Sequence, residues 1–230
     1  MKNKYLKGAH LSERKFREIL KLFCEDLTAT QIANISCISR VTVNNYLKLI
    51  RTHIAKYSEE KNPQYYNNGY LPVIPMNGLV MPVEPEENRI SRKALFGIYK
   101  TEDRIFTELI VCTDVKEITD WARGKLNNET GTVLNSKYGH FTAVADFNHY
   151  RIYRLHKDKD LNKPRASLDE IDLFWGSLKA RIAKFRGLSG QTLYLHVKET
   201  EFRYNNRNTD LFELLSFILQ RRPLHYSKAI

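Results

Sequence analysis

The sequence predicts an α/β protein (α+β by some schemes) in two parts. A helical domain spans residues 1–57, a linker 58–78, and a mixed-sheet domain with C-terminal helices 79–230. Three observations predict it. The first 57 residues carry apolar side chains at helical spacing. The stretch SEEKNPQYYNNGYLPVIPMNG, Ser58 to Gly78, gathers Pro, Asn and Gly and has no period. Beyond it, short apolar runs alternate with helical patterns, the order in which sheet and helix layers pack together.

The helical domain follows from its stripes and caps. From Ser12, the residues Phe16, Ile19, Leu20, Phe23 and Leu27 recur at helical spacing, so SERKFREILKLFCEDL is an amphipathic helix. A short helix then runs from about Ala29 to Asn34. A tight turn passes through Ser36 and Cys37, and a second helix starts at Ser39, a good N-cap. Val43, Leu47, Ile50 and Ile54 point inward, which leaves Arg40, Thr42, Asn44, Asn45 and Lys48 to solvent. Two short helices joined by a brief turn, behind a supporting helix, match a helix-turn-helix. In that motif the second helix enters the major groove. Arg, Asn and Thr there suit guanine, adenine and the thymine methyl. The plainer reading is a small helical bundle with a polar outer face.

The second domain begins with short strands expected at Leu79–Val83, Lys93–Lys100 and Arg104–Cys112. A helix follows from Asp114 to about Leu126. Thr132–Ser136 is expected as a fourth strand and Tyr150–Leu155 as a fifth. Long helices close the chain. This is the element order of an RNase H-like fold.

The first of those long helices reads LDEIDLFWGSLKARIAKFRG, acidic at its start and basic at its end. Ser167 suits an N-cap with Glu170 as its capping-box partner, and Gly187 suits a stop. Ile171, Phe174, Leu178, Ile182 and Phe185 form an apolar stripe. Asp172, Lys179 and Ala183 share a lateral face through Gly176. The charge order complements the helix dipole, which is reason enough for it in an ordinary helix. It also suits a phosphodiester beside a cation, with Lys179, Arg181, Lys184 and Arg186 along the phosphates. Farther on, His196, Lys198, Glu199, Glu201 and Arg203 make a polar helix face that reads equally as a salt-bridge network.

Composition narrows the partners. The 230 residues carry a formal charge of +11, with 42% hydrophobic and 11% aromatic residues, so the chain can bury a core and favours a polyanion. Double-stranded DNA is the expected partner. No apolar run reaches the ~20 residues of a membrane span, and the N-terminus lacks an apolar signal core. A cytoplasmic, nucleoid-associated location is expected. Three scattered cysteines, Cys24, Cys37 and Cys112, show no metal spacing and read as buried thiols in a reducing compartment. The seven histidines show neither nucleophile nor metal spacing.

Residues 1–56 and 171–223 resemble a branch of small bacterial insertion-sequence transposases of the RNase H-like, DDE type. The more specific match is FWGSLKARIAKFRGLSGQTLYLHVKETEFRYNNR, Phe174 to Arg207, where the family carries FW, a basic KxRxxKFRG run, YLHLKE and EFRxN. The N-terminal match is MKNKYLKGAHLSERKFREILKLFCEDL and the two helices after it. The middle, KALFGIYK and the HYRI of His149 to Ile152, is looser. The resemblance implies a helix-turn-helix that finds element ends, with a catalytic domain that cuts and joins DNA strands. A homodimer is compatible with it. It also implies Mg2+, because two metal ions about 4 Å apart, held by carboxylates, activate the attacking oxygen and stabilise the leaving one.

The chain departs from the family at those carboxylates. The first acidic position falls at or near Val83 in MPVEPEE, with Glu84 the nearest acid. The second falls at Asn135 or Ser136 in VLNSKYGHF. The third is kept as acid in Asp169-Glu-Ile-Asp172. Two readings of the carboxylates stay open, beside a third of the whole chain. In one, the metal site is degenerate, no cofactor is bound, and the chain is a DNA-binding pseudoenzyme. In the other, Glu84, Asp146 and Asp172 form a displaced triad that binds Mg2+. A third, an interaction protein without a DNA role, requires the recognition helix to be buried against the second domain.

Overall fold

The structure, a computed structural model, describes residues 3–8, 11–65, 95–110, 114–126, 128–155, 169–185, 188 and 190–225. In chain order the elements are β1 (Leu6–Lys7), α1 (Glu13–Cys24), α2 (Ala29–Ser36), α3 (Arg40–Glu60), β2 (Leu95–Thr101), β3 (Arg104–Ile110), α4 (Val115–Ala122), α5 (Asn128–Tyr138), β4 (Ala143–Asp146), β5 (Arg151–Arg154), α6 (Glu170–Lys184), α7 (Gly190–Asn205), α8 (Leu211–Arg221) and β6 (Leu224–His225). This is a mixed helix-and-sheet protein, as its element order implies. It divides into two compact units, Met1–Met81 with Asn206–Ile230, and Pro82–Asn205.

In the first unit, side-chain caps fix where the helices begin. Ser12 Oγ accepts from the Lys15 N–H at 3.3 Å. Thr28 and Gln31 form a reciprocal capping box at the start of α2. Ser39 Oγ accepts from the Thr42 N–H at 3.1 Å at the start of α3. Helix α2 stops at Cys37, whose φ of 54° is left-handed. The Lys15 ammonium donates to the Ser36 carbonyl at 2.8 Å, which satisfies an orphan acceptor there. Phe16, Ile19, Leu20 and Phe23 of α1 and Val43, Tyr46, Leu47, Ile50 and Ile54 of α3 are all buried, and the Phe16 and Tyr46 rings meet edge-on at 6.2 Å.

The C-terminus closes this unit. Expected in the second domain, Asn206–Ile230 instead belongs with the N-terminal helices. β6 pairs parallel with β1, Leu224 opposite Leu6, and the Leu224 N–H donates to the Tyr5 carbonyl at 2.9 Å. The Arg17 guanidinium sits over the Phe212 ring of α8 at 5.6 Å. Leu215, Ile218 and Leu219 of α8 are buried. An apolar stripe that ends a chain is satisfied by whichever core is open to it, and sequence order does not fix which.

In the second unit, four strands form a sheet in the order β3–β2–β4–β5, each neighbouring pair antiparallel. One face packs α4 and α5 through Ile118, Trp121, Leu134 and Tyr138 on Leu95, Tyr99 and Val144. On the other face, Phe96 meets Phe147 at 5.5 Å, and Phe147 meets Trp175 of α6 at 5.4 Å. Gly97 of β2 accommodates the Phe141 ring, since a Cβ there would lie 2.3 Å from it.

One expectation for this unit needs correction. Thr132–Ser136 is helical, not a strand, and lies inside α5. Leu134 and Tyr138 are buried one turn apart, and the Trp121 indole N–H donates to Asn135 Oδ1 at 2.9 Å. The strand is Ala143–Asp146, whose four residues are all buried. The strand expected at Leu79–Val83 lies outside the described residues.

Candidate nucleic-acid interface and carboxylate cluster

Helix α3 presents Arg40, Val41, Asn44, Asn45 and Lys48 as exposed residues at i, i+1, i+4, i+5 and i+8, one continuous face. Arg40, Asn44, Asn45 and Lys48 make no side-chain hydrogen bond or ion pair with a described residue. Thr42 departs from expectation. It is half-buried, and its hydroxyl lies 2.8 Å from Ser39 Oγ within the cap. Val41, 72% exposed, was not among the residues the sequence pointed to. The signal for it is the helical wheel, which puts position 41 beside 44, 45 and 48 and away from Val43 and Leu47.

Helix α6 separates its bases. Lys179 and Lys184 are exposed. The Lys179 ammonium rides over the Trp175 ring at 5.6 Å. Arg181, expected along a phosphate backbone, is only 7% exposed, and its guanidinium lies 2.7 Å from the Glu199 carboxylate. It is held by the protein and cannot meet a phosphate in this arrangement. Arg186 lies outside the described residues. Gly176 is exposed, and a Cβ there would meet nothing within 4 Å.

The acidic start of α6 is also corrected. Its N-cap is Asp169, not Ser167, and Asp169 Oδ1 accepts from the Asp172 N–H at 2.9 Å. Ser167 lies outside the described residues. Arg154 of β5 donates to Asp169 and pairs with Asp172 at 3.0 Å. Burial alone raises the Asp169 carboxyl, but Arg154 and the Asp172 and Ile171 backbone N–H groups together outweigh it and hold the group below its usual value.

Asp146 ends β4 opposite Leu95, and its side chain is fully buried. Its Oδ2 lies 2.7 Å from His149 Nδ1. Its Oδ1 accepts from the Asn148 backbone at 2.8 Å and side chain at 2.9 Å. Burial pushes this carboxyl up, yet the hydrogen bonds from His149 and Asn148 more than offset that and leave it below the ordinary value. Glu84 and Val83 lie outside the described residues, and Ser136 sits on α5.

A two-metal centre requires several carboxylate oxygens open to the same ions. Among the described residues no three His, Cys, Asp or Glu side chains are grouped to hold a metal. Asp169 and Asp172 face a guanidinium, and both oxygens of Asp146 have protein partners. The described residues do not fit the metal pair.

The polar face of α7 has an internal task. β3 is an edge strand, so its outward backbone groups need partners. Glu201 Oε2 accepts from the Thr107 N–H at 2.9 Å and its hydroxyl at 2.6 Å. The Lys198 ammonium donates to the Thr107 carbonyl at 2.5 Å and to Glu201 at 3.1 Å. Asn205 accepts from the Ile105 N–H at 2.9 Å and donates to its carbonyl at 2.7 Å. Behind them, Glu199 accepts from Arg203 at 2.9 Å. The three cysteines are likewise not uniform: Cys37 is exposed, Cys24 half-buried, and Cys112 outside the described residues.

Comparison with protein-family models, with curated proteins and with solved structures found no match. No helix among the described residues is long and apolar enough to cross a membrane.

Proposed function

We propose that this chain binds duplex DNA and descends from insertion-sequence transposases, with α2 and α3 as a helix-turn-helix and the second unit as an RNase H-like scaffold whose metal site is degenerate. The observation that carries the reading is the exposed face of α3, where an arginine, two asparagines and a lysine have no partner among the described residues. Those side chains match the hydrogen-bonding edges of guanine and adenine. The charge of +11 supplies the sequence-independent attraction. The loss of catalysis is supported by Arg154, which occupies the carboxylates of α6 with a fixed positive charge.

Titration of short duplexes at low and moderate salt tests the binding. Affinity should fall steeply as salt rises, because each phosphate contact releases condensed counterions. A flat response, or no binding at low salt, removes the proposal. With magnesium or manganese the bound DNA should remain uncut.

The second reading, an active metal-dependent transposase, draws support from Asp146. It ends the inner strand β4, and the resemblance implies one metal-binding carboxylate on a fourth strand. Metal-dependent nicking that Asp146→Asn or Glu84→Gln abolishes would establish that reading over the first.

A further inference from the structure

We infer that Val41 reads a thymine methyl group in the major groove, which makes the α3 face selective for thymine-bearing B-form DNA. The inference rests on the DNA-binding reading and goes beyond it to a base and a residue. Val41 is the most exposed large hydrophobic residue among those described, at 72%, whereas Val43 two positions on is fully buried. A β-branched residue gains little in the first turn of a helix when nothing packs on it, since its rotamer freedom is already restricted there. Its neighbours on the face are Arg40, Asn44, Asn45 and Lys48. An isolated apolar group between hydrogen-bonding side chains, flanked by two cations, describes a particular partner. The major groove has phosphates along its rims and donors and acceptors on its base edges. It has one apolar group on those edges, the C5 methyl of thymine.

The competing partners fit less well. A protein interface is anchored by a contiguous apolar cluster. In the first unit the exposed large hydrophobics among the described residues are Ile35, Val41 and Phe217, on three different helices. RNA offers uracil, which lacks the methyl, and an A-form major groove too deep and narrow for side chains to read.

The test uses the full chain and short duplexes selected from a random-sequence pool. Each thymine of the tightest duplex is replaced in turn by deoxyuridine, which removes only the methyl. At one or two positions affinity should fall about fourfold, the equivalent of ~0.8 kcal/mol for one buried CH2-sized group. Val41→Ala, which leaves only Cβ to meet the methyl, should shrink that thymine–uracil difference at the same positions and leave the salt dependence unchanged. Because Val41 is exposed, this variant should keep the wild-type unfolding midpoint. If every deoxyuridine duplex binds as tightly as its parent, the inference is overturned while the DNA-binding reading stands. If no duplex binds at low salt, both fall.

Discussion

Helices α3 and α7 each carry a polar face beside an apolar stripe, and the two faces have opposite fates. On α3, Arg40, Asn44, Asn45 and Lys48 are exposed and make no side-chain bond to a described residue. On α7, Lys198, Glu199 and Glu201 are at most 1% exposed, each paired within the unit. The cause lies in the neighbour and not in the helix. α7 runs along β3, the edge of the sheet, and the polar side chains substitute for the strand that is missing there. α3 packs on β6 as well, but its exposed side chains Arg40, Asn44, Asn45 and Lys48 bond to no strand among the described residues. A polar helix face therefore points to an external partner only when the protein's own unpaired backbone does not already use it.

The largest effect expected from this contrast is on stability. Glu201→Ala would leave the Lys198 ammonium buried and the Thr107 N–H and hydroxyl without their acceptor. Breaking a buried pair in this way costs about 3–5 kcal/mol. Lys198→Ala should cost a similar amount. Denaturant unfolding of each variant measures it, and a loss below about 1 kcal/mol, the range of an exposed ion pair, would mean that α7 is not what terminates the sheet.

A smaller effect is expected on α3, and on binding instead of folding. Arg40→Ala or Asn44→Ala should relax preference at one base pair by about 1–3 kcal/mol if that side chain bridges a base edge. Stability should stay within about 0.5 kcal/mol of wild type, as for other exposed positions. Lys184→Ala on α6 supplies the contrast. A cation removed from a phosphate should weaken binding to all sequences alike and reduce the salt slope by about 1. Equal loss of preference in both sets of variants would remove α3 as the reader.

How much of this was legible depends on whether the signal is local. The first three helices begin one residue after Ser12, Thr28 and Ser39, because a cap is a property of neighbouring residues. β2 and β3 are legible from their apolar runs for the same reason. The errors arise where distant contacts decide. Thr132–Ser136 contains two β-branched residues, yet burial of Leu134 and Tyr138 on the sheet makes it helical. Ala143–Asp146 is too short and small to stand out, and it is a strand because it lies between β2 and β5. Arg181 looks like its basic neighbours until α7 brings Glu199 against it. Asp169 and Asp172 are legible as acids, but nothing local indicates that Arg154, on another element, would neutralise them.

The smallest effect concerns the carboxylates that the protein keeps for itself, and it appears only in acid. Asp146 has a folded-state pKa below its ordinary value, chiefly because the hydrogen bonds from His149 and Asn148 outweigh burial. The folded state therefore binds fewer protons than the unfolded state between the two pKa values, and stability rises with pH across that window. The contribution is fully present above the ordinary carboxylate value and is lost as pH falls through the folded-state value. Asp169 behaves alike in direction, but its side chain is 57% exposed, so solvent screening shrinks what Arg154 contributes there. Unfolding midpoints measured from neutral pH into the acid range should show a steeper loss for wild type than for Asp146→Asn, with Asp169→Asn close to wild type. An acid limb of unchanged slope in Asp146→Asn would mean that its carboxylate is not committed to the β4 end. Asp146 would then be available to an outside cation, as the α3 side chains are to DNA.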